Sequence, residues 1–194
     1  MTKWNKFFDE KIKEIAKGSV VFDIGGCSRF QKSLVPYKKY FINCNYRSID
    51  SNPKCNPDIL ADIHNIPLDD NCADGVICKS VLEHVLNPIK VVGEIRRILK
   101  PGGKCFLSVP FIHAYHGNDY WRFSEDAIKY MFKEFKHMEF VPVMGHFETI
   151  AFLLPYANKF PMSCLLLIAR FFDNVLFNFQ SGKQVLGYNI FVIK

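Results

Sequence analysis

The chain has 194 residues, 49% of them hydrophobic and 15% aromatic, which suits one packed core and excludes a disordered or fibrous chain, since those cannot offset the entropy of ordering. Its net charge of +6 comes without a Lys/Arg-rich run, so nucleic acid is not indicated as a partner. Seven cysteines, an odd number with no CxxC spacing, suggest neither a disulfide framework nor a zinc site and point to a reducing, cytoplasmic setting.

The opening residues mix charge into an amphipathic pattern and lack the apolar run and cleavage site of an export signal. Trp4, Phe8, Ile12 and Ile15 recur at steps of four and three, one face of a helix, and Gly18 follows where a C-terminal cap belongs. SVVFDI reads as a buried strand running into a turn at Gly25 and Gly26. Further strands are expected at residues 46–50, 58–63, 74–78 and 104–111. Between the last two, Asn87 caps a helix, Pro88 opens it, Ile89, Val92, Ile95 and Leu99 form its apolar stripe, and Pro101 with Gly102 stops it. Ser124 caps another helix through about Phe135, MEFVPV reads as a sixth strand, and YNIFVIK is apolar enough to be a central last strand. Near-continuous apolar strands alternating with helices argue an α/β class, with a mostly parallel sheet covered on both faces. With no repeat or linker, residues 1–194 read as a single domain. The most apolar stretch, residues 160–179, contains Arg170 and Asp173, so no membrane-spanning helix is expected.

The chemistry begins at Asp23, Gly25 and Gly26. Glycine lets backbone approach a ligand closely at the end of a strand, and an acid at the end of the next strand, here Asp50 followed by Ser51, can accept from ribose hydroxyls. Asp62 could accept from an adenine amine, with the Ile63 N–H facing a ring nitrogen, although an Asp at a strand end also serves simply to start a turn.

Taken in order, VVFDIGG, SID, ADIHNIPLDDNCADGVICKSVLEHV and EIRRILKPGGKCFLSVPF resemble the class I S-adenosylmethionine-dependent methyltransferases, specifically the type 11 group. The resemblance implies a Rossmann-like seven-stranded sheet whose last strand is antiparallel and inserted beside the fifth. It also implies S-adenosylmethionine as cofactor and S-adenosylhomocysteine as product. Carried over by position, Asp23, Gly25 and Gly26 surround the methionine moiety, Asp50 the ribose, and Asp62 and Ile63 the adenine, with Cys27 and Ser51 also among the cofactor-binding residues. Lys79 and Ser80 line the cofactor and the entry to the acceptor site. The family's glycine loop reads GxGxG, and here Cys27 and Arg29 stand at two of its glycines.

The stretch from His113 to Arg122 leaves the fifth strand at the ligand-binding edge of such a sheet, where loops carry function. It resembles the P-F-…-H-…-D-Y-x-R-F-[ST] segment of type 11 enzymes associated with cell-surface glycans. In the functional reading, His116 or Asp119 helps to deprotonate an acceptor hydroxyl, Arg122 holds an anionic group, and His113, Tyr120 and His84 face the acceptor. The structural alternative pairs Asp119 with Arg122 and packs Tyr120 into the core. No metal site is expected from His113, His116 and Asp119.

An aromatic-rich helical insert is expected at about residues 147–185, either covering the sheet or a dimer interface, or docking on a lipid-linked acceptor or a bilayer. The expectation is thus a methyltransferase acting, through oxygen, on a small-molecule, sugar-like or lipid-linked acceptor. It would be cytoplasmic, with peripheral membrane contact as an option, and a monomer or homodimer. A binding or scaffold protein with an altered glycine loop, and a nicotinamide-dependent oxidoreductase, are the alternatives.

Overall fold

The computed structural model describes all residues except 28, 31, 116, 155–162 and 176–183. Helix α1 (Lys3–Ile15) begins where the Thr2 hydroxyl accepts from the Asn5 N–H, and its buried residues Phe7, Ile12 and Ile15 lie against the sheet. Strands β1 (Val20–Ile24), β2 (Asn45–Asp50), β3 (Ile59–Leu60), β4 (Ala73–Lys79), β5 (Leu99–Pro110), β6 (His137–Val143) and β7 (Gly187–Ile193) form one sheet in the order β3-β2-β1-β4-β5-β7-β6. All neighbours pair parallel except β7, which is antiparallel to both β5 and β6. The expected Rossmann-like α/β sheet is therefore present, and the apolar last strand is interior.

Side chains alternate between faces along each strand. Val21, Ile77 and Phe106 join the cluster under α1, while Phe22, Val76, Cys78, Cys105 and Leu107 join the opposite one, which holds Val91, Val92, Ile95 and Ile98 of α2 (Pro88–Ile98). Asn87 caps α2 by accepting from the Lys90 N–H, 3.0 Å away. The buried stripe of α2 differs from the expected one: Ile89 is exposed, and Leu99 has left the helix to pair with Ala73 at the start of β5. The reason is local, because Pro101 disfavours a helical conformation at Lys100 before it.

Two other boundaries shift. Strand β3 is only two residues long, since Asp62 starts a turn by accepting from the His64 N–H at 2.9 Å. Helix α3 (Glu125–Met131), capped by the Ser124 hydroxyl, ends before Phe135, because a turn there buries Phe132 and Phe135 against each other with ring centroids 5.7 Å apart. Between β6 and β7 the helical insert contains α4 (His146–Leu153) and α5 (Ser163–Val175), which pack together. The Asp173 carboxylate accepts from the Phe147 and Glu148 N–H groups at the start of α4, and Arg170 pairs with the buried Glu148. Leu167, Ile168, Phe171 and Phe172 on α5 face outward. No described helix is long and apolar enough to cross a membrane.

Candidate active site

The carboxyl ends of β1, β2 and β4 meet around a cavity of about 320 Å³ lined by Gly25, Asp50, Ser51, Asp62, Ile63 and Ser80, with His64, His84 and Tyr120 along its rim. Parallel strands place these ends on one edge because each must return by a crossover, and a switch in crossover direction opens a crevice there. Here β1 lies between β2 and β4, so the crevice falls at the β1 loop.

Gly25 leaves β1 with φ +68, and a Cβ there would lie 2.5 Å from Val81 Cγ2; at Gly26 one would lie 2.4 Å from the Asp23 carboxylate. The glycines therefore let the chain turn tightly over the strand end. Asp50 fixes the loop by accepting from the Cys27 N–H and, with its other oxygen, from the Asn52 N–H, each at 2.9 Å. Asp23 is 2% exposed and accepts from the Tyr46 hydroxyl at 2.5 Å. Burial pushes its carboxyl up to about 7, against the lowering effect of Tyr46, while Asp50 raises it further and Lys79 lowers it. The same burial, with Asp23 beside it, raises the Tyr46 phenol. The sequence marks Tyr46 only as a polar aromatic in a buried strand, with no signal of its bond to Asp23. Asp62, expected at adenine, accepts from both the His64 N–H and His64 Nδ1, the latter at 2.7 Å, and these bonds hold its carboxyl below the usual range. Its carboxylate thus starts the turn while also lining the cavity.

The two departures from the glycine loop both tie it down. Cys27 takes φ +55, a conformation that glycine adopts freely, and is disulfide-bonded to Cys55 in the 3₁₀ turn Pro53–Cys55 after β2. This overturns the expectation of no disulfide. Cysteines 28 apart in sequence come together because β1 and β2 end side by side. Arg29 forms an ion pair with Asp58, which also accepts from the Ser48 N–H, and Arg29 holds the Asp58 carboxyl down at about 2.

A second cavity, of about 350 Å³, lies next to the first, and Ser80 lines both. Ser80, at φ +55, donates its N–H to the Ser108 carbonyl, and its hydroxyl sits 3.3 Å from that of Ser108. Lys79, Glu83 and His113 bring charge or titratable groups to this cavity, and Trp4, Phe8 and Tyr188 bring aromatic surface. Glu83 and the contribution of α1 and β7 are not legible in the sequence, because only tertiary packing carries those elements to the strand ends.

The loop after β5 splits. His113 lines the second cavity, whereas His84 and Tyr120, expected at the acceptor, lie on the first. His84 Nδ1 is 2.9 Å from the Asn118 carbonyl, Tyr120 donates its N–H to the Glu83 carbonyl, and Trp121 Nε1 donates to the Val85 carbonyl. Asp119 receives both arms of the Arg122 guanidinium, at 2.6 and 2.7 Å, with its side chain fully enclosed. The pairing half of the structural alternative is therefore present, an internal pair within the loop. Tyr120, however, does not pack into the core as that alternative expected: it is exposed at the rim of the first cavity. His116 lies outside the described residues. No group of His, Cys, Asp and Glu able to hold a metal is found among the described residues.

A family model described as "Methyltransferase domain" matches residues 26–107, the span from the glycine turn through β5. Over that span the chain is similar to the methyltransferase domains the model describes. It is 26% identical over 147 residues to the sterol 4-C-methyltransferase strm-1 of Caenorhabditis elegans, covering 75% of this chain and 41% of that protein. It is 51% identical over 35 residues to a ubiquinone biosynthesis O-methyltransferase of Xanthomonas oryzae pv. oryzae, covering 18% of this chain and 15% of that one. The chain therefore spans less than half the length of these curated relatives. The crystal structure of a SAM dependent methyltransferase from Archaeoglobus fulgidus superposes with a TM-score of 0.63 at 13% identity, covering 97% of this chain and 90% of that chain. The match shows a shared fold. S-adenosylmethionine is the cofactor of that family, and a crevice lined by the Asp50 and Asp62 carboxylates beside a glycine turn fits its ribose and adenine groups.

Proposed function

We propose that the protein transfers a methyl group from S-adenosylmethionine to a small-molecule acceptor. The observation that carries this reading is the pair of adjoining cavities meeting at Ser80. The cofactor, when bound, supplies an activated methyl on its sulfonium, so the chain needs no nucleophile of its own. Its task is to align two reactants and exclude water, which can contribute a large part of a rate enhancement.

In this reading Asp23, Gly25, Gly26 and Cys27 receive the methionine part, Asp50 and Ser51 the ribose, and Asp62 and Ile63 the adenine. Lys79 and Ser80 stand at the boundary between the cavities. The acceptor enters the second cavity between α1 and the ends of β5 and β7, where the buried Glu83 and His113 are placed to accept a hydrogen bond from an acceptor hydroxyl. The enclosed Asp119–Arg122 pair positions the loop. Oxygen as the methylated atom, and a sugar-like or lipid-linked acceptor, remain finer parts of this proposal, supported by the neutral hydroxyls of Ser80 and Ser108 and by the outward apolar face of α5.

The test is calorimetry with S-adenosylmethionine and with NAD. Heat with the first and none with the second is expected. No heat with S-adenosylmethionine at millimolar concentration would sink the reading and favour a scaffold role.

A further inference from the structure

We propose that the Cys27–Cys55 disulfide is a redox modification site that sets cofactor affinity. Closed, it holds the β1 loop in its binding conformation; opened by a dithiol reductant, it lets the loop relax. The inference rests on reading the first cavity as the cofactor site.

Three observations carry it. Cys27 stands where the family has a glycine and holds the left-handed φ of +55 that glycine would adopt without cost. That conformation is disfavoured for a side-chain-bearing residue, and the bond to Cys55, with the two Cα atoms 4.8 Å apart, is a covalent restraint that holds Cys27 in it. Next, the Cys27 N–H donates to Asp50, which lines the cavity, so the conformation of Cys27 and the placement of the ribose-facing carboxylate are one arrangement. Finally, Cys27 and Cys55 are both partly exposed, and the other described cysteines are reduced, with Cys78 and Cys105 buried in the sheet. A reductant therefore meets this bond without unfolding the core.

The exchange is balanced. A thiolate of the dithiol attacks one sulfur, the Cys27–Cys55 bond breaks, and a mixed disulfide forms. The second thiolate of the reductant then displaces the protein sulfur and closes its own disulfide. Two electrons and two protons pass to the protein, leaving two thiols. Cys27 is then free to leave the left-handed region, and its N–H leaves Asp50.

The experiment uses the full chain, air-oxidised, titrated with S-adenosylhomocysteine in a calorimeter before and after dithiothreitol, with free thiols counted by alkylation and mass spectrometry. Reduction is expected to add two thiols and weaken binding by about fivefold or more, as release of a strained residue in the left-handed region would. Cys55→Ser should bind like the reduced protein and ignore dithiothreitol. Cys27→Gly, which removes the bond and restores the glycine, should bind more tightly than Cys55→Ser and also ignore it. Equal affinity in both redox states, a full set of seven thiols before reduction, or a persisting response in Cys55→Ser would overturn the proposal and leave the cofactor reading intact. No heat in either state defeats the cofactor reading itself.

Discussion

Asp23 shows most directly how position changes the chemistry of one residue. Its carboxyl, with an unperturbed value near 3.8, is raised to about 7 chiefly by burial. Between those values the folded chain binds more protons at this site than the unfolded chain, so this group makes stability fall as pH rises from about 4 to 7. The slope from one such group is at most about 1.4 kcal/mol per pH unit. Urea melts should show this trend in the wild type and a flatter one in Asp23→Asn. Cofactor affinity should run the other way, rising with pH through about 7 as the carboxylate ionises beside a cationic ligand, and calorimetry at pH 6 and 8 reads it. Asp50→Ala removes the group that holds the Cys27 and Asn52 N–H groups, and should weaken S-adenosylhomocysteine binding tenfold or more while the fold persists. Asp23 and Asp50 were legible in the sequence because an acid after an apolar run followed by glycine is a local signal. Tyr46 and Glu83 were not, since neither spacing nor residue type distinguishes them until β2 and the turn after β4 are placed.

At the scale of elements, capping residues decide where helices begin, and these are local too. Asn87 and Ser124 accept from the N–H groups three residues on, as their sequence context implied, and Asn87→Ala should cost about 1 kcal/mol in a chemical melt. Helix α4 is different. Gly145 precedes it without a side-chain cap, and Asp173, from α5, supplies the acceptor instead. Asp173→Ala leaves two N–H groups at a buried helix start unsatisfied and should destabilise by about 1–3 kcal/mol, most visibly as faster amide exchange in α4 and α5. No local pattern reveals a cap from 26 residues downstream. The outward Phe171 carries the opposite expectation. Phe171→Ser should leave stability within about 0.5 kcal/mol, because a side chain that is 60% exposed has little burial to lose, whereas Phe172→Ser should cost more, since that ring lies 6.0 Å from Phe147 of α4.

For the whole molecule, the inserted β7 joins the two halves of the sheet. It pairs along its full length with β5 on one side and β6 on the other, and its residues are nearly all buried. Removing residues 187–194 takes away both pairings and the wall of the second cavity, so the truncated chain should show no cooperative thermal transition. The sequence by itself determined the α/β class, the strand and helix order, the central place of YNIFVIK and the acids at the ends of β1 and β2, because hydrophobic periodicity, caps and glycine turns act between near neighbours. The tertiary structure alone decided that Cys27 meets Cys55, that Arg122 encloses Asp119, and that α1 and β7 complete a cavity beside Ser80. Each of these joins groups that the chain separates and the sheet brings together, or depends on how a loop packs, and neither is encoded in the local pattern.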